Sequence, residues 1–511
     1  MPIKATPNRS NTYIYIYGYP RQRRIWDILF LILWTFQIFI SKMQIITNGL
    51  NLSVFFLLAS VLAKDGFYKM DFNLFRGSSV NEASNNRHNN KEFDIHSTHV
   101  KRDGEYYYDV SLSNQRSFYA ANLSIGTPAQ NVEVLVDTGS SDLWVVGSDN
   151  PKCVTNGGNI DCTHYGTFSK DASTSFKDNN TEAYISYMDD THSKGGWGTD
   201  DISLSANLKL KLASIAVAND TDSPFGILGI AFEDLEVLAR KGKKYSNVPS
   251  LLKEQGFINK AAYSLYITSQ EASTGSILFG GVDSAKYTGS LVPIDIVMEQ
   301  DKYVYTQIPL TSISVNVDQR TARFAPSQHK SGSDSQDDKK SHTPRIAVAT
   351  ASPAKLSKFV NISVQNSILG STTIDYNGMS AVLDSGTTLG TMPNNTLAQL
   401  ARAVSPDAFY EGTVLNTWVV PCSVKTPTNN WVFNFNNQKE ITAPLSDLII
   451  QVGVNSATNQ QVCGIGFFPS DVTILGDIFL RSAYSVYNLD DKTVSLAQVK
   501  YSNDEQITVI E

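Results

Sequence analysis

Along most of the chain, apolar residues come in short runs or alternate with polar ones, with frequent breaks at Gly, Pro, Asn and Asp. Alternation has a period of two, the spacing at which side chains of an extended strand share a face. The pattern predicts strands at SFYAANLSIG (117–126), NVEVLVD (131–137), YSLYIT (263–268), SILFGG (276–281) and DLIIQVGV (447–454). Helical rhythm is scarce; NTLAQLARAV (395–404) has it, with Asn394 in front as the expected N-cap. No period of 20–50 residues recurs, which argues against solenoids and propellers. Val- and Ile-rich runs, 23 Tyr and 24 Phe favour sheet over helix. The expected fold class is therefore all-β with a few short helices, and 511 residues suggest two or three domains.

Several segments depart from this pattern. Two apolar stretches, 28–40 and 54–63, stand near the N-terminus, each short of the roughly 20 residues a membrane span needs. The first follows the basic run RQRR and the second ends in V-L-A, a signal-cleavage pattern that places the cut after Ala63. Two such stretches are redundant in one secreted chain. Met43 is the expected working start, with 1–42 belonging to an over-long reading frame; a signal-anchor at 25–40 is the alternative. Residues 64–102 read as a propeptide. They include the loosely packed, Asn-rich NEASNNRHNNKEFD (81–94) and end at the dibasic pair Lys101-Arg102, a site for a dibasic processing endoprotease. The mature chain would begin at Asp103. Residues 318–345 are charged and Ser-rich, and read as an exposed, disordered insertion. The C-terminus lacks an apolar tail, so no stable membrane anchor is expected in the mature form.

Charge and cysteines narrow the function classes. The net charge of −7 combines a basic region at 1–102 with a distinctly acidic remainder, which disfavours nucleic acid. Cys153, Cys162, Cys422 and Cys463 are an even set with three possible pairings. None falls in a zinc-type cluster, so neither metal nor cofactor is expected. Among N-x-[ST] sequons, Asn179, Asn219, Asn361 and Asn394 are glycosylation candidates, whereas Asn122 falls inside a predicted strand.

The chemistry is carried by two similar stretches, VLVDTGSSDLW (134–144) and AVLDSGTTLGT (381–391). Each brings an Asp to the end of an apolar run, where a lone ionised carboxylate would be costly. If Asp137 and Asp384 meet, they cannot both ionise easily, and one proton becomes shared. Such a pair can hold a water, with one carboxylate taking its proton while the other acid donates to a carbonyl oxygen. Small hydroxyl residues and Gly beside each Asp suit that chemistry, with Thr138, Gly139 and Ser140 in one stretch and Ser385, Gly386 and Thr387 in the other.

These motifs, with AANLSIGTPAQNVEVLVDTGSSDLWVVGS (120–148), FGILGI (225–230) and TILGDIFLRSAYSVYNLD (473–490), resemble the pepsin-type aspartic proteases, most of all the fungal secreted yapsins and candidapepsins. The resemblance covers about 106–500. It implies a bilobal fold with a cleft between an N-terminal lobe (103–292) and a C-terminal lobe (293–511), one Asp in each. It also implies Cys153–Cys162 and Cys422–Cys463 disulfides and a flap at 183–200, with Tyr187 as the flap tyrosine and Trp144 packed beside it. Met188 stands where that family usually has Gly, and Asp189 and Asp190 follow, which implies a preference for basic substrate residues. The implied activity is that of a secreted, monomeric endopeptidase acting on protein or peptide substrates, made as a zymogen and working at acid pH. The cell wall or the vacuole is the further possibility for location, and a catalytically impaired peptide-binding protein on the same scaffold is the rival function.

Overall fold

The structure is a computed structural model that describes residues 67–77, 116–187, 191–205, 208–269, 274–318, 320–323, 369–413, 415–455 and 460–511. In chain order its first strands are β1 (Tyr68–Gly77), β2 (Arg116–Ile125), β3 (Gln130–Asp137), β4 (Leu143–Val146), β5 (Lys177–Ser186), β6 (His192–Ser205), β7 (Leu208–Thr221), β8 (Gly226–Gly229), β9 (Ala262–Ile267) and β10 (Thr274–Phe279). All ten belong to one 13-stranded sheet, completed by Tyr287–Asp295 and by two strands from the far C-terminus, Ala483–Asn488 and Thr493–Val499. A seven-stranded sheet contains Gln307–Asp318, Leu369–Leu383, Asn430–Phe435 and Ile474–Leu475, and a four-stranded sheet contains Phe409–Glu411, Thr417–Val420, Ile449–Asn455 and Gln460–Ile465. Strand dominates in both lobes, as the pattern of apolar positions predicts.

Local sequence explains the elements. In Asn430–Phe435, Trp431, Phe433 and Phe435 are buried at alternate positions. Phe433 and Phe435 pack on Phe479 with ring centroids 4.8 and 5.7 Å apart, and burying each such ring is worth about 1.5–3 kcal/mol. β3 instead becomes continuously buried from Val134 to Asp137. It pairs along both edges, with antiparallel β2 and parallel β8, and side chains on both of its faces are buried in its second half. The helix Asn394–Val404 buries Leu397, Leu400, Ala401 and Val404 along one face.

Several details differ from the sequence-based expectation. The helix begins at Asn394 itself: Pro393 is the cap position, its carbonyl accepting from Thr396 and Leu397 N–H, while the Asn394 side chain accepts from the Trp418 indole instead. The strand expected from Asp447 starts at Ile449, because Leu445–Leu448 coils into a short helix after Pro444. Asp318 and residues 320–323, expected to open a disordered insertion, are ordered. Asp318 closes a strand, Ala322 is buried, and Arg323 pairs with Asp407 at 2.8 Å. The remainder of the insertion lies outside the described residues. Within the stretch read as a propeptide, β1 is a strand that the sequence reading does not foresee. It lies antiparallel between β10 and β2. The N-terminal sheet also reaches past a division at 292/293, since Ala483–Asn488 pairs with β9 and stacks Tyr487 on Tyr263 at 4.9 Å.

Candidate active site

The two acidic motifs are built alike. β3 ends on Asp137 and lies parallel to β8, with Asp137 opposite Gly229. Leu369–Leu383 ends just before Asp384 and lies parallel to Ile474–Leu475, with Leu383 opposite Leu475. Each Asp thus leaves a covered strand into a tight turn, and the turn supplies its partners. Gly139 N–H donates to Asp137 Oδ1 at 2.7 Å and Ser140 Oγ to Oδ2 at 2.5 Å. Gly386 N–H donates to Asp384 Oδ1 at 2.8 Å and Thr387 Oγ1 to Oδ2 at 2.5 Å.

A reciprocal set of bonds ties the loops together. Thr138 Oγ1 donates to Leu383 O and accepts from Ser385 N–H, both at 2.9 Å. Ser385 Oγ donates to Val136 O at 2.9 Å and accepts from Thr138 N–H at 3.2 Å. Thr306 Oγ1 lies 3.3 Å from both Thr138 O and Leu383 O. All three hydroxyl residues are buried, where a lost bond leaves an unsatisfied group. The glycines then let the carboxyls approach. A methyl carbon on Gly386 would stand 2.4 Å from Asp137 Oδ1 and 3.1 Å from Asp384 Oδ1, so the two inner oxygens flank one point. One on Gly139 would stand 2.6 Å from Asp384 Oδ1.

Asp137 and Asp384 are 5% and 8% exposed, open enough to meet solvent and closed enough to feel each other. Burial, and then the neighbouring Asp384, push the Asp137 pKa well above the usual carboxylate range. Asp477, fully buried, is pushed up mainly by burial; Arg481 opposes the shift and Asp384 adds to it. Both Asp477 oxygens lack a hydrogen-bond partner among the described residues.

In the same sheet, β5 and β6 form an antiparallel hairpin with Ser186 opposite His192. Tyr187 N–H donates to Thr191 O at 3.0 Å, and Trp144 Nε1 donates to Tyr187 Oη at 2.7 Å. Tyr187 is half-buried against a cluster of Trp144, Ile185, Trp197 and the Cys153–Cys162 pair. Behind it lies an acidic group: Tyr245 Oη donates to Asp142 Oδ1 at 2.7 Å, Val237 N–H to Asp142 Oδ2 at 3.1 Å, and Tyr245 N–H to Glu236 Oε2 at 3.0 Å. Burial raises Asp142 and pushes Glu236 to about 9.

The structure thus brings together Asp137, Asp384 and the six residues expected around them, and sets Tyr187 beside Trp144. Cys153–Cys162 and Cys422–Cys463 are bonded pairs with S–S distances of 1.99 and 2.04 Å. Asn122, Asn179, Asn219 and Asn394 are exposed, Asn122 within β2. Met188, Asp189, Asp190, Asn361, Lys101 and Arg102 lie outside the described residues. Sequence reasoning misses Thr306, whose surroundings YTQIPL carry no motif, and the Asp142–Glu236–Tyr245 group, in which Asp142 lies 103 residues from Tyr245. Asp477 is visible in TILGDI, but nothing local marks it as different from a capping Asp.

A family model described as eukaryotic aspartyl protease matches residues 118–330 and 332–499. Secreted aspartic protease 7 of Candida albicans is 36% identical over 414 residues, which cover 80% of this chain and 64% of the relative; the chain spans just under two thirds of that protein's length. Aspartic proteinase yapsin-3 of Saccharomyces cerevisiae is 35% identical, covering 78% of this chain and 70% of the relative. Secreted aspartic protease 9 of Candida albicans is 31% identical, covering 89% of both chains.

Proposed function

The chain belongs to the eukaryotic aspartyl protease family, and from that premise we propose that it is an aspartic endopeptidase in which Asp137 and Asp384 activate one water against a peptide carbonyl. The observation that carries the reading is the convergence of the two inner carboxyl oxygens on one point, each already bonded to its own turn. One carboxyl of the pair, protonated, donates to the carbonyl oxygen, while the other, ionised, takes the proton of the attacking water. The amine then leaves with a proton returned from the pair. Gly139, Ser140, Gly386 and Thr387 hold the carboxyls in position, and Thr138 and Ser385 lock the two lobes in register. Tyr187, braced by Trp144, closes over an extended substrate.

Finer features follow from the same reading. The product enters the secretory route and acts outside the cell as a monomer at acid pH, where the pair retains one proton. Residues 64–102 keep the precursor silent until a dibasic endoprotease cuts after Arg102. Asp189 and Asp190, next to Tyr187, favour Lys or Arg in the substrate. Two assays test this. The processed chain should cleave an unfolded protein substrate at acid pH and be blocked by a peptide inhibitor carrying a hydroxyl in place of the scissile carbonyl; cleavage indifferent to that inhibitor contradicts the mechanism. Replacing both Asp189 and Asp190 with Asn should reduce cleavage at basic residues relative to apolar ones, and an unchanged ratio removes the specificity assignment.

A further inference from the structure

The indole that donates to Tyr187 shares its packing with a second one. Trp144 on β4 and Trp197 on β6 both stand opposite Ala216 of β7, so both side chains leave the sheet on one face. Both are buried in one apolar cluster with Leu238. The ring of Tyr245 lies against Trp197, centroids 5.6 Å apart. Tyr245 comes from a stretch outside any strand, and two carboxyls pin it instead: its N–H donates to Glu236 and its hydroxyl to Asp142. The Asp142 carbonyl accepts from Gly229 N–H at 3.0 Å, and Gly229 stands opposite Asp137. Contacts thus run from the turn that carries Asp137, through Asp142 and Tyr245, to the cluster of the tryptophan that holds Tyr187. Glu236 is the unusual member. It is fully buried, and its Oε1 has no partner among the described residues. An ionised carboxylate would want donors on both oxygens. Burial, with Asp142 adding to it and Tyr245 N–H opposing, pushes its pKa to about 9, so it is uncharged throughout the acid range.

We propose that Glu236 and Tyr245 are positioning residues for substrate binding: together they fix the Trp144–Trp197 packing that sets where Tyr187 stands. This rests on the endopeptidase reading above, in which Tyr187 closes over the substrate. Neither residue touches the substrate or moves a proton in the reaction. Glu236 fixes the backbone of Tyr245, Asp142 fixes its hydroxyl, and the ring between them backs Trp197. Trp144, buried beside Trp197 in the same cluster, then presents its N–H to Tyr187 from a fixed place. Loosening Tyr245 therefore costs substrate affinity before it costs the chemical step, since the carboxyl pair keeps its own hydrogen bonds.

The test uses the processed chain and a peptide substrate at acid pH, with kcat and KM read separately and active sites counted by titration with the hydroxyl-bearing inhibitor. Tyr245→Phe keeps the ring and loses the bond to Asp142. KM should rise about threefold to tenfold, the effect of one hydrogen bond, while kcat stays within about twofold of wild type. Glu236→Ala should do the same. Glu236→Gln, which keeps an oxygen for Tyr245 N–H and matches the uncharged acid in shape, should bring KM back near the wild-type value. In a Tyr187→Phe background, where Trp144 has no side-chain oxygen to hold, Tyr245→Phe should raise KM no further. An unchanged KM in Tyr245→Phe and Glu236→Ala overturns the positioning role, as does a loss confined to kcat or to the fraction of folded protein. Glu236→Gln as poor as Glu236→Ala overturns the part given to Glu236. A full further rise in the Tyr187→Phe background overturns the route through Trp144. A wild-type chain that cleaves nothing overturns the endopeptidase reading, and this inference with it.

Discussion

At the scale of the residue, the site depends on how closely two turns can approach. Gly386→Ala would force a carbon to within 2.4 Å of Asp137 Oδ1; the carboxyls must then part while both sheets remain intact. The expected outcome is a loss in kcat/KM on the order of 10²-fold or more, with little change in the circular dichroism spectrum; retention of wild-type activity means the two oxygens need not converge. Thr138→Ala removes the hydroxyl that bridges Leu383 O and Ser385 N–H, leaving a buried N–H unsatisfied. It should destabilise the fold by about 1–3 kcal/mol, read from denaturant unfolding, and an unchanged midpoint would show that the bridge adds nothing to stability. The meeting of Asp137 and Asp384 was legible at this scale because Asp at the end of an apolar run, followed by hydroxyls and Gly, is a costly placement that occurs twice. Thr306 and Glu236 were not, because what distinguishes them is burial and long-range partners, neither of which leaves a local mark.

At the scale of the element, the segment that carries Glu236 and Tyr245 joins the back of the first acidic loop to the packing beneath Tyr187. Glu236 is fully buried and its pKa is raised by burial to about 9, above its unfolded value near 4.3. The folded state therefore binds the proton more tightly. Its contribution to stability is complete below roughly pH 4 and is lost as pH rises toward about 9. Glu236→Gln, uncharged at every pH, should melt close to wild type at pH 4 and above it at pH 8; parallel melting curves across that range would show that the proton on Glu236 is not linked to folding. The Cys153–Cys162 bond lies in the same apolar cluster, and replacing both cysteines with Ala should cost about 2–4 kcal/mol, again by denaturant unfolding. Elements were readable from sequence where the period was clean, as in β3 and the helix at 394–404. They were misread where competing local bonds decide the boundary: Pro393 displaced Asn394 as cap, and Pro444 turned Leu445–Leu448 into helix before the strand could start. β1 went unseen because the apolar run FYKMDFNLF is short, and its pairing partners lie about 50 and 200 residues away.

At the scale of the whole molecule, the resemblance carried by the repeated motif implies two lobes, but the way the chain joins its sheets leaves no mark in the sequence. Strands Ala483–Asn488 and Thr493–Val499 return to the N-terminal sheet, a crossing that no hydrophobic pattern encodes, since pairing partners depend on topology rather than on local period. That return stacks Tyr487 on Tyr263, so the proposed water-activating pair belongs to the assembled chain and to neither half alone. The measurement closest to this claim is kcat/KM against pH for the processed chain and for Asp137→Asn and Asp384→Asn. The wild type should give a bell-shaped profile with its maximum in the acid range, and each variant should fall by on the order of 10³-fold while still folding. A variant that keeps more than a tenth of the activity, or a wild-type profile without an acid maximum, would contradict the shared-proton pair.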